Sequence, residues 1–434
     1  MNQLIRHYQQ TAMRYIDSLH GSDGDWLIGR RQAAARRFAE LGFPHSRTEA
    51  WRYTGIEGLM RQGFELTDRF DAFPRHAVMR RFLREPTAAR LVFVDGLYQA
   101  DLSDTGLVGV RVGSLREAMA VGDRQVLEAV GSLSGLGDHG FEALNFAALQ
   151  DGAVIRVSAG VTVQQPIELL HLAGKGAAGR AMCPRHLVML EADASANLVE
   201  RYLALDGETA YFNNLVCEIT LAERASLVHQ RIQQESAQAY HLCDIHLGLQ
   251  GEADYQGINA AVGGAWSRTR VHCRFAEPGA NCELDGLYLA GEGQLTDFHL
   301  DLDHAVPHCD SRENFKGILH GGGKAVFDGL IQVREQAQGS NAHLSNANLM
   351  LSRRAEVDAK PQLLIHADDV QCSHGASIGQ LDDQAIFYLR SRGFDEGQAR
   401  RLLCQGFANE IVERFQSASL REQLSEVIGQ RLEE

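Results

Sequence analysis

A short recurrence is the feature that most restricts what this chain can fold into. A small residue opens a strand-like run at Ala196, Ala225, Ala253 and Ala280, at spacings of 29, 28 and 27 residues. Typical contexts are Ala196-Asn197-Leu198-Val199, Ala225-Ser226-Leu227-Val228 and Ala280-Asn281-Cys282-Glu283. After a longer stretch, Ala325 and Ala355 lie 30 apart. A near-constant period without helical patterning suits a β-solenoid, in which each strand pairs with the rung above and a small residue fits the corner. An antiparallel sandwich can show similar turn spacing, and the recurrence alone leaves both open.

The flanks read differently. In residues 1–150, segments 8–19 and 26–41 carry apolar residues at three- and four-residue spacing. Gly42-Phe43-Pro44 closes the second of these helices. Arg47-Thr48-Glu49-Ala50-Trp51-Arg52-Tyr53-Thr54 reads as a helical turn with aromatic anchors. Leu91-Val92-Phe93-Val94 and Leu97-Tyr98 flank Asp95-Gly96, a pair suited to a two-residue hairpin turn. Helical material returns over 115–150. Short strands then dominate 151–381, as in Ala153-Val154-Ile155-Arg156-Val157 and Leu187-Val188-Met189-Leu190. In 382–434, Asp382 or Asp383 can cap a helix stopped by Gly393, Asp395 can cap a second over 398–414, and a third spans 420–432. The chain thus divides into a mainly helical region with a hairpin (1–150), a β core (151–381) and a helical C-terminal domain (382–434).

The chain has 434 residues, 44% of them hydrophobic, with a formal charge of −14. That charge argues against nonspecific binding to nucleic acid or anionic membrane, which needs a basic footprint. No apolar run approaches a membrane span, and the N-terminus has no secretory apolar region. The eight cysteines are scattered, with no Cys-x-x-Cys pair, which points to a reduced, cytoplasmic protein.

Few motifs carry chemistry. Gly317-Ile318-Leu319-His320-Gly321-Gly322-Gly323-Lys324-Ala325 fails as a phosphate loop. Ile318 stands where the first glycine belongs, and Ala325 where a hydroxyl would hold magnesium. A tight solenoid corner suits it better, and no ATPase activity of the chain's own is expected. His299, Asp301, Asp303, His304, His308 and Cys309 form the densest set of ligand-type residues. His299, Asp301 and Asp303 would share one face of a strand, which fits a metal site or a solvated strand edge. Cys372 and His374 also alternate onto one face, in Asp368-Asp369-Val370-Gln371-Cys372-Ser373-His374-Gly375. Alone, that pair equally suits two packed side chains. A solenoid enzyme acting on polysaccharide is a further alternative, but such enzymes are usually exported and no export signal is present.

The text around that pair carries a resemblance. Lys360-Pro361-Gln362-Leu363-Leu364-Ile365 leads in, and Gly379-Gln380-Leu381-Asp382-Asp383-Gln384-Ala385-Ile386-Phe387-Tyr388-Leu389-Arg390-Ser391-Arg392-Gly393 leads out. With Asn314-Phe315-Lys316-Gly317-Ile318 and Asn346-Ala347-Asn348-Leu349-Met350-Leu351-Ser352, these stretches resemble the SufB/SufD family of iron–sulfur cluster assembly scaffolds. The ending Cys-Ser-His-Gly resembles its SufD form. The resemblance implies a right-handed β-helix core between helical regions and decides for the solenoid. It implies a noncatalytic scaffold subunit that pairs with SufB through the β-helix and binds the ATPase SufC through its C-terminal helices. ATP would enter only through SufC, a sulfur donor would act through the complex, and reduced FAD accompanies some complexes of the family. His374 matches the histidine expected to be a nascent-cluster ligand at the SufB interface, with Cys372 as its same-face neighbour. Thiolate and imidazole are both iron ligands, and imidazole holds a cluster less tightly. Phe387, Tyr388, Arg390, Arg392, Phe407 and Glu410 are the expected contacts to SufC. The second reading within the family is a self-sufficient, SufB-like cluster carrier, against which the scattered cysteines speak.

Overall fold

From residue 212 onward each repeat of the chain lays down two strands, one after the other. Phe212–Leu221 is followed by Ser226–Gln234, Tyr240–Leu249 by Asp254–Ala261, and so on to Glu356–Ile365 and Val370–Gly379. The computed structural model that shows this describes residues 2–18, 25–66 and 73–432. The first strands of successive repeats stack in parallel, so that Phe212, Tyr240, Trp266, Leu295, Lys324 and Glu356 stand in one column. The second strands do the same, with Ser226, Asp254, Asn281, Asp310, Asn341 and Gln371 in a column of their own. Two parallel sheets therefore face each other across one core, and the solenoid is the observed architecture. Antiparallel pairing is found at the far end, between Val110–Ser114 and Ala153–Val157, within the hairpin Ala89–Val94/Leu97–Tyr98 and at the Arg90–Asp104 bridge.

The recurrence has the expected length, and at Ala225, Ala253 and Ala280 the expected phase; the first rung and the later ones differ. The residue just before the second-strand column is Ala194, Ala225, Ala253, Ala280 and then Cys309, and all five are buried. Ala196 stands two residues further on, beside Leu227. Ala325 lies in the first sheet and pairs with Val357, so it is out of register with Ala355. The physical requirement is a small buried side chain at the corner, and cysteine meets it as well as alanine. A pattern sought in alanine alone loses its place at that substitution. The glycine-rich stretch behaves as a corner: a Cβ on Gly323 would meet the Ala290 carbonyl oxygen at 2.2 Å.

Sequence signals at the flanks act locally as their chemistry dictates. Asp95 and Gly96 both take positive φ, 50° and 82°, which the right-handed twist of a two-residue hairpin turn requires. The strand Ala89–Val94 then pairs in parallel with Ile167–Ala173 and joins the second sheet. Helices Asn2–Ser18, Asp25–Leu41 and Gly140–Ala147 cover the outer face of the first sheet, where Phe38, Trp51 and Phe141 pack against Phe212, Tyr240 and Trp266. Leu19, the expected end of the first helix, lies outside the described residues. Helices Glu396–Val412 and Ala418–Arg431 cover the outer face of the second sheet, burying Ile258, Leu287, Leu289 and Ile318.

The core between the sheets is not wholly apolar. Glu200 is fully buried there, accepts from His229 Nε2 at 2.6 Å and from the Tyr202 hydroxyl, and forms an ion pair with Arg231, whose Nε lies 3.3 Å away. His229 in turn meets the Tyr255 hydroxyl at 3.0 Å. A buried carboxylate of this kind persists because its partners compensate its charge; burial alone would raise its pKa, yet Arg231 and His229 hold it well below the usual range.

Candidate functional site

The solenoid ends abruptly at the last repeat. Glu356–Ile365 and Val370–Gly379 are the terminal strands of their sheets, each paired on one side only. A row of unpaired N–H and C=O groups is thus exposed on each strand, the condition under which a sheet edge recruits another chain. Most side chains of Val370–Gly379 are exposed, in contrast to the buried alternation of Ser340–Met350 beneath it.

Cys372 and His374 occupy this edge. Their register partners are Ala342 and Leu344, both buried and core-facing. The two side chains therefore stand on the core-facing side of the last rung, where no further rung covers them. Cys372 is half-buried and packs on the core, while His374 is exposed. Burial pushes the Cys372 thiol above its ordinary pKa, so at neutral pH it is a thiol unless a metal displaces the proton. Ser373 points the other way and meets His343 Nδ1 at 2.8 Å. Val357, Leu363, Ile365 and Ile378 add an apolar surround that single-residue motifs did not reveal; Ile365 and Ile378 are 42% and 54% exposed. Their signal was the continued apolar alternation of two strands that have nothing above them to pack on.

The residues expected to contact a partner fall into two groups. Phe387 and Tyr388, on helix Asp383–Ser391, are 74% and 56% exposed. Arg392 lies over the Tyr388 ring, 5.2 Å from its centroid, and Arg390 is 3.8 Å from Glu396. Asp382 caps that helix and Asp395 caps the next through a reciprocal capping box. Phe407 and Glu410 have roles inside the chain. Lys316 Nζ sits 4.6 Å from the Phe407 ring centroid, and Glu410 accepts from Lys316 and from Asn314 at 3.1 Å. The Lys316 hydrogen bond holds the Glu410 carboxyl below its usual range.

The cluster from His299 to Cys309 is dispersed. His299 faces Asp328 at 3.7 Å, Asp301 meets His272 at 3.1 Å, and Asp303 takes Arg334 in a fork at 2.6 and 2.9 Å. His304 turns inward, stacks on Phe275 and meets Ser311 Oγ at 3.1 Å. His308 adopts φ 60° in the turn, and Cys309 is buried in the corner. Alternation put the first three on one face, but the neighbouring strands supply each a separate partner. Among the described residues, no three His, Cys, Asp or Glu are grouped to hold a metal ion, and no helix is long and apolar enough to cross a membrane.

Residues 172–407 match the model of the SufBD core domain of the SUF iron–sulfur cluster assembly system, and residues 1–169 match the SufBD N-terminal region. The chain is 32% identical over 429 residues to an iron–sulfur cluster assembly SufBD family protein of Synechocystis sp., covering 97% of this chain and 94% of that one. It is 31% identical over 425 residues to the iron–sulfur cluster assembly protein SufD of Escherichia coli, covering 97% of each. A chloroplastic protein of Arabidopsis thaliana, ABCI7, is 30% identical over 95% of this chain and 88% of its own length.

Proposed function

Since this chain belongs to the SufBD family of the SUF iron–sulfur cluster assembly system, we propose that it is the SufD-type subunit, pairing with SufB through the open end of its solenoid and presenting His374 to a nascent cluster there. The observation that carries this reading is the coincidence of two unpaired edge strands with an exposed core-side imidazole in one place. Edge strands supply main-chain hydrogen bonds to a partner sheet, and the apolar surround supplies the buried area that a stable heterodimer needs.

The chemistry at that edge is ligation and release. In the interface His374 supplies a neutral nitrogen donor to iron in the cluster under construction, and SufB supplies the remaining protein ligands. One imidazole among the ligands weakens the hold on the cluster and favours transfer to a recipient protein. Cys372 is an auxiliary thiol beside it, with its proton held on by burial. Helix Asp383–Ser391 docks SufC through Phe387, Tyr388, Arg390 and Arg392, and Phe407 with Glu410 seats the following helix that supports it. ATP acts only through SufC, and reduced FAD and the sulfur donor act at the level of the complex. Work on the cytoplasmic side of the cell follows from that chemistry, since a nascent cluster and free thiols need a reducing compartment.

Coexpression with SufB and SufC tests this reading. A complex that copurifies and carries iron–sulfur absorbance is expected; a chain that copurifies with neither partner would refute it.

A further inference from the structure

A second site lies between residues 80–84 and the last helix, Ala418–Arg431, in a cavity of about 260 Å³. Arg80, Arg81, Arg84 and Arg201 line it, together with Ser419 and Gln423, and its acids are Glu422 and Glu426. Four guanidinium groups and two carboxylates line it, with Glu168 behind Arg201 and Glu85 behind Ser419.

The floor of the cavity is built rather than incidental. Arg201 comes from strand Ser195–Ala204 and is 6% exposed. It donates to Glu168 Oε1 at 3.0 Å, to Gln423 Oε1 at 3.1 Å and to the Arg81 carbonyl, while its Nε is buried without a partner. Glu168 is shared: the same carboxylate takes Arg90 Nε at 2.6 Å and the Leu83 amide at 3.0 Å. Burial lowers the Arg201 pKa, while Glu85 adds a second carboxylate whose charge also acts on Arg201. Arg90 and Arg201 are thus balanced behind the cavity, and the positive charge left for a ligand is that of Arg80 and Arg81 at its mouth. At the mouth, Glu422 holds Arg84 at 3.0 Å, whereas Arg80 and Arg81 have no acidic partner among the described residues.

We propose that this cleft binds a phosphate-type oxyanion, either free phosphate or the phosphate of a small ester, between buried Arg201 and the Arg80–Arg81 pair. Guanidinium forks match the geometry of tetrahedral oxyanions, and Gln423, whose Nε2 donates one hydrogen to Gln234, has a second N–H to offer. The volume lies just below the ~300 Å³ at which pockets for drug-sized ligands begin, which favours a compact anion over a dinucleotide. An acidic protein segment would meet Arg80 and Arg81 at the mouth without reaching Arg201 at the floor.

Calorimetric titration of the full-length chain with inorganic phosphate, and separately with AMP, at constant ionic strength with chloride as control anion, tests this. Saturable one-to-one binding is expected. The Arg80→Ala/Arg81→Ala double variant should bind at least ~10-fold more weakly at an unchanged melting temperature in phosphate-free buffer, since both side chains are exposed and alanine keeps the Arg81 carbonyl. Tighter binding of AMP assigns the site to a phosphate ester, and equal or weaker binding assigns it to free phosphate. No saturable binding by the unmodified chain, or binding undiminished in the double variant, overturns the proposal; an acidic protein segment as the true occupant would give the first of these results.

Discussion

Glu313 stands in the same core-facing column as His374, two rungs deeper, with Leu344 between them. It is 1% exposed and neither carboxyl oxygen has a hydrogen-bond partner of good geometry; nearby Ser311 instead meets His304. Burial pushes its pKa up to about 8, with Ser311 and Arg312 offsetting only part of that. The folded state therefore holds a proton that the unfolded chain releases near the ordinary glutamic acid value, so this group's contribution to stability is complete below that value and is lost as pH rises toward 8. Glu313→Gln should flatten the fall in urea midpoint between pH ~5 and ~8; an unchanged slope would contradict the buried neutral acid. Nothing in the sequence around Asp310-Ser311-Arg312-Glu313 marks that residue, because a polar side chain in an alternating strand reads as outward-facing. Cys372 and His374 were legible for the opposite reason: a two-residue spacing in a strand fixes a shared face whichever face it is. At Cys372 itself, Cys372→Ala should lower cluster content only mildly, measured by iron–sulfur absorbance per complex, since a thiol kept protonated by burial is a poor ligand in competition with an exposed imidazole. A loss as severe as that of His374→Ala would reverse their roles.

Among the secondary-structure elements, the C-terminal helices divide their work. The last two lie over the second sheet and shield Ile258, Leu287, Leu289 and Ile318, so removing residues 382–434 would expose that face and disturb the solenoid along with any docking. Amphipathicity announced these helices, but not that their apolar faces would be spent mainly on the chain's own sheet. Helix Asp383–Ser391 keeps its aromatic side chains outward, and the sharper perturbation is Phe387→Ala with Tyr388→Ala. Exposed aromatics make frequent interface anchors, so the pair should weaken SufC binding at least ~10-fold by calorimetry with no change in melting temperature. Unchanged affinity would remove that helix from the interface. On the other flank, Thr54 and Arg268 both bond Asp297, and Arg268 lies 4.2 Å from the Trp51 ring centroid. These contacts tie the N-terminal segment to the first sheet. Asp297→Ala leaves Arg268 buried without its carboxylate and should cost about 3–5 kcal/mol, read from the urea midpoint; a loss below about 1 kcal/mol, as for an exposed pair, would mean that the pair bears little of the attachment.

Over the whole molecule, a stack of rungs is closed at one end by a hairpin and an antiparallel strand pair, flanked on its outer faces by helices, and left open at the other end. The period of the stack was legible because each rung needs nearly the same length of chain. Its two strands per rung and the corners at Ala194 and Cys309 were not, because cysteine can replace alanine at a corner and inward polar residues such as Glu200 and Arg231 disguise the alternation. The open end was not legible, and resemblance placed only an interface at His374: nothing in a single strand tells whether another strand will follow it. The central claim is that His374, on that open edge, ligates a nascent cluster without holding the heterodimer together. The direct test is to purify the complex of the His374→Ala chain with SufB and SufC and to compare its yield and its iron–sulfur absorbance with those of the unmodified complex. One interfacial side chain rarely decides a large interface, so near-normal yield with sharply reduced absorbance is predicted, and a complex of normal cluster content would contradict the ligand role.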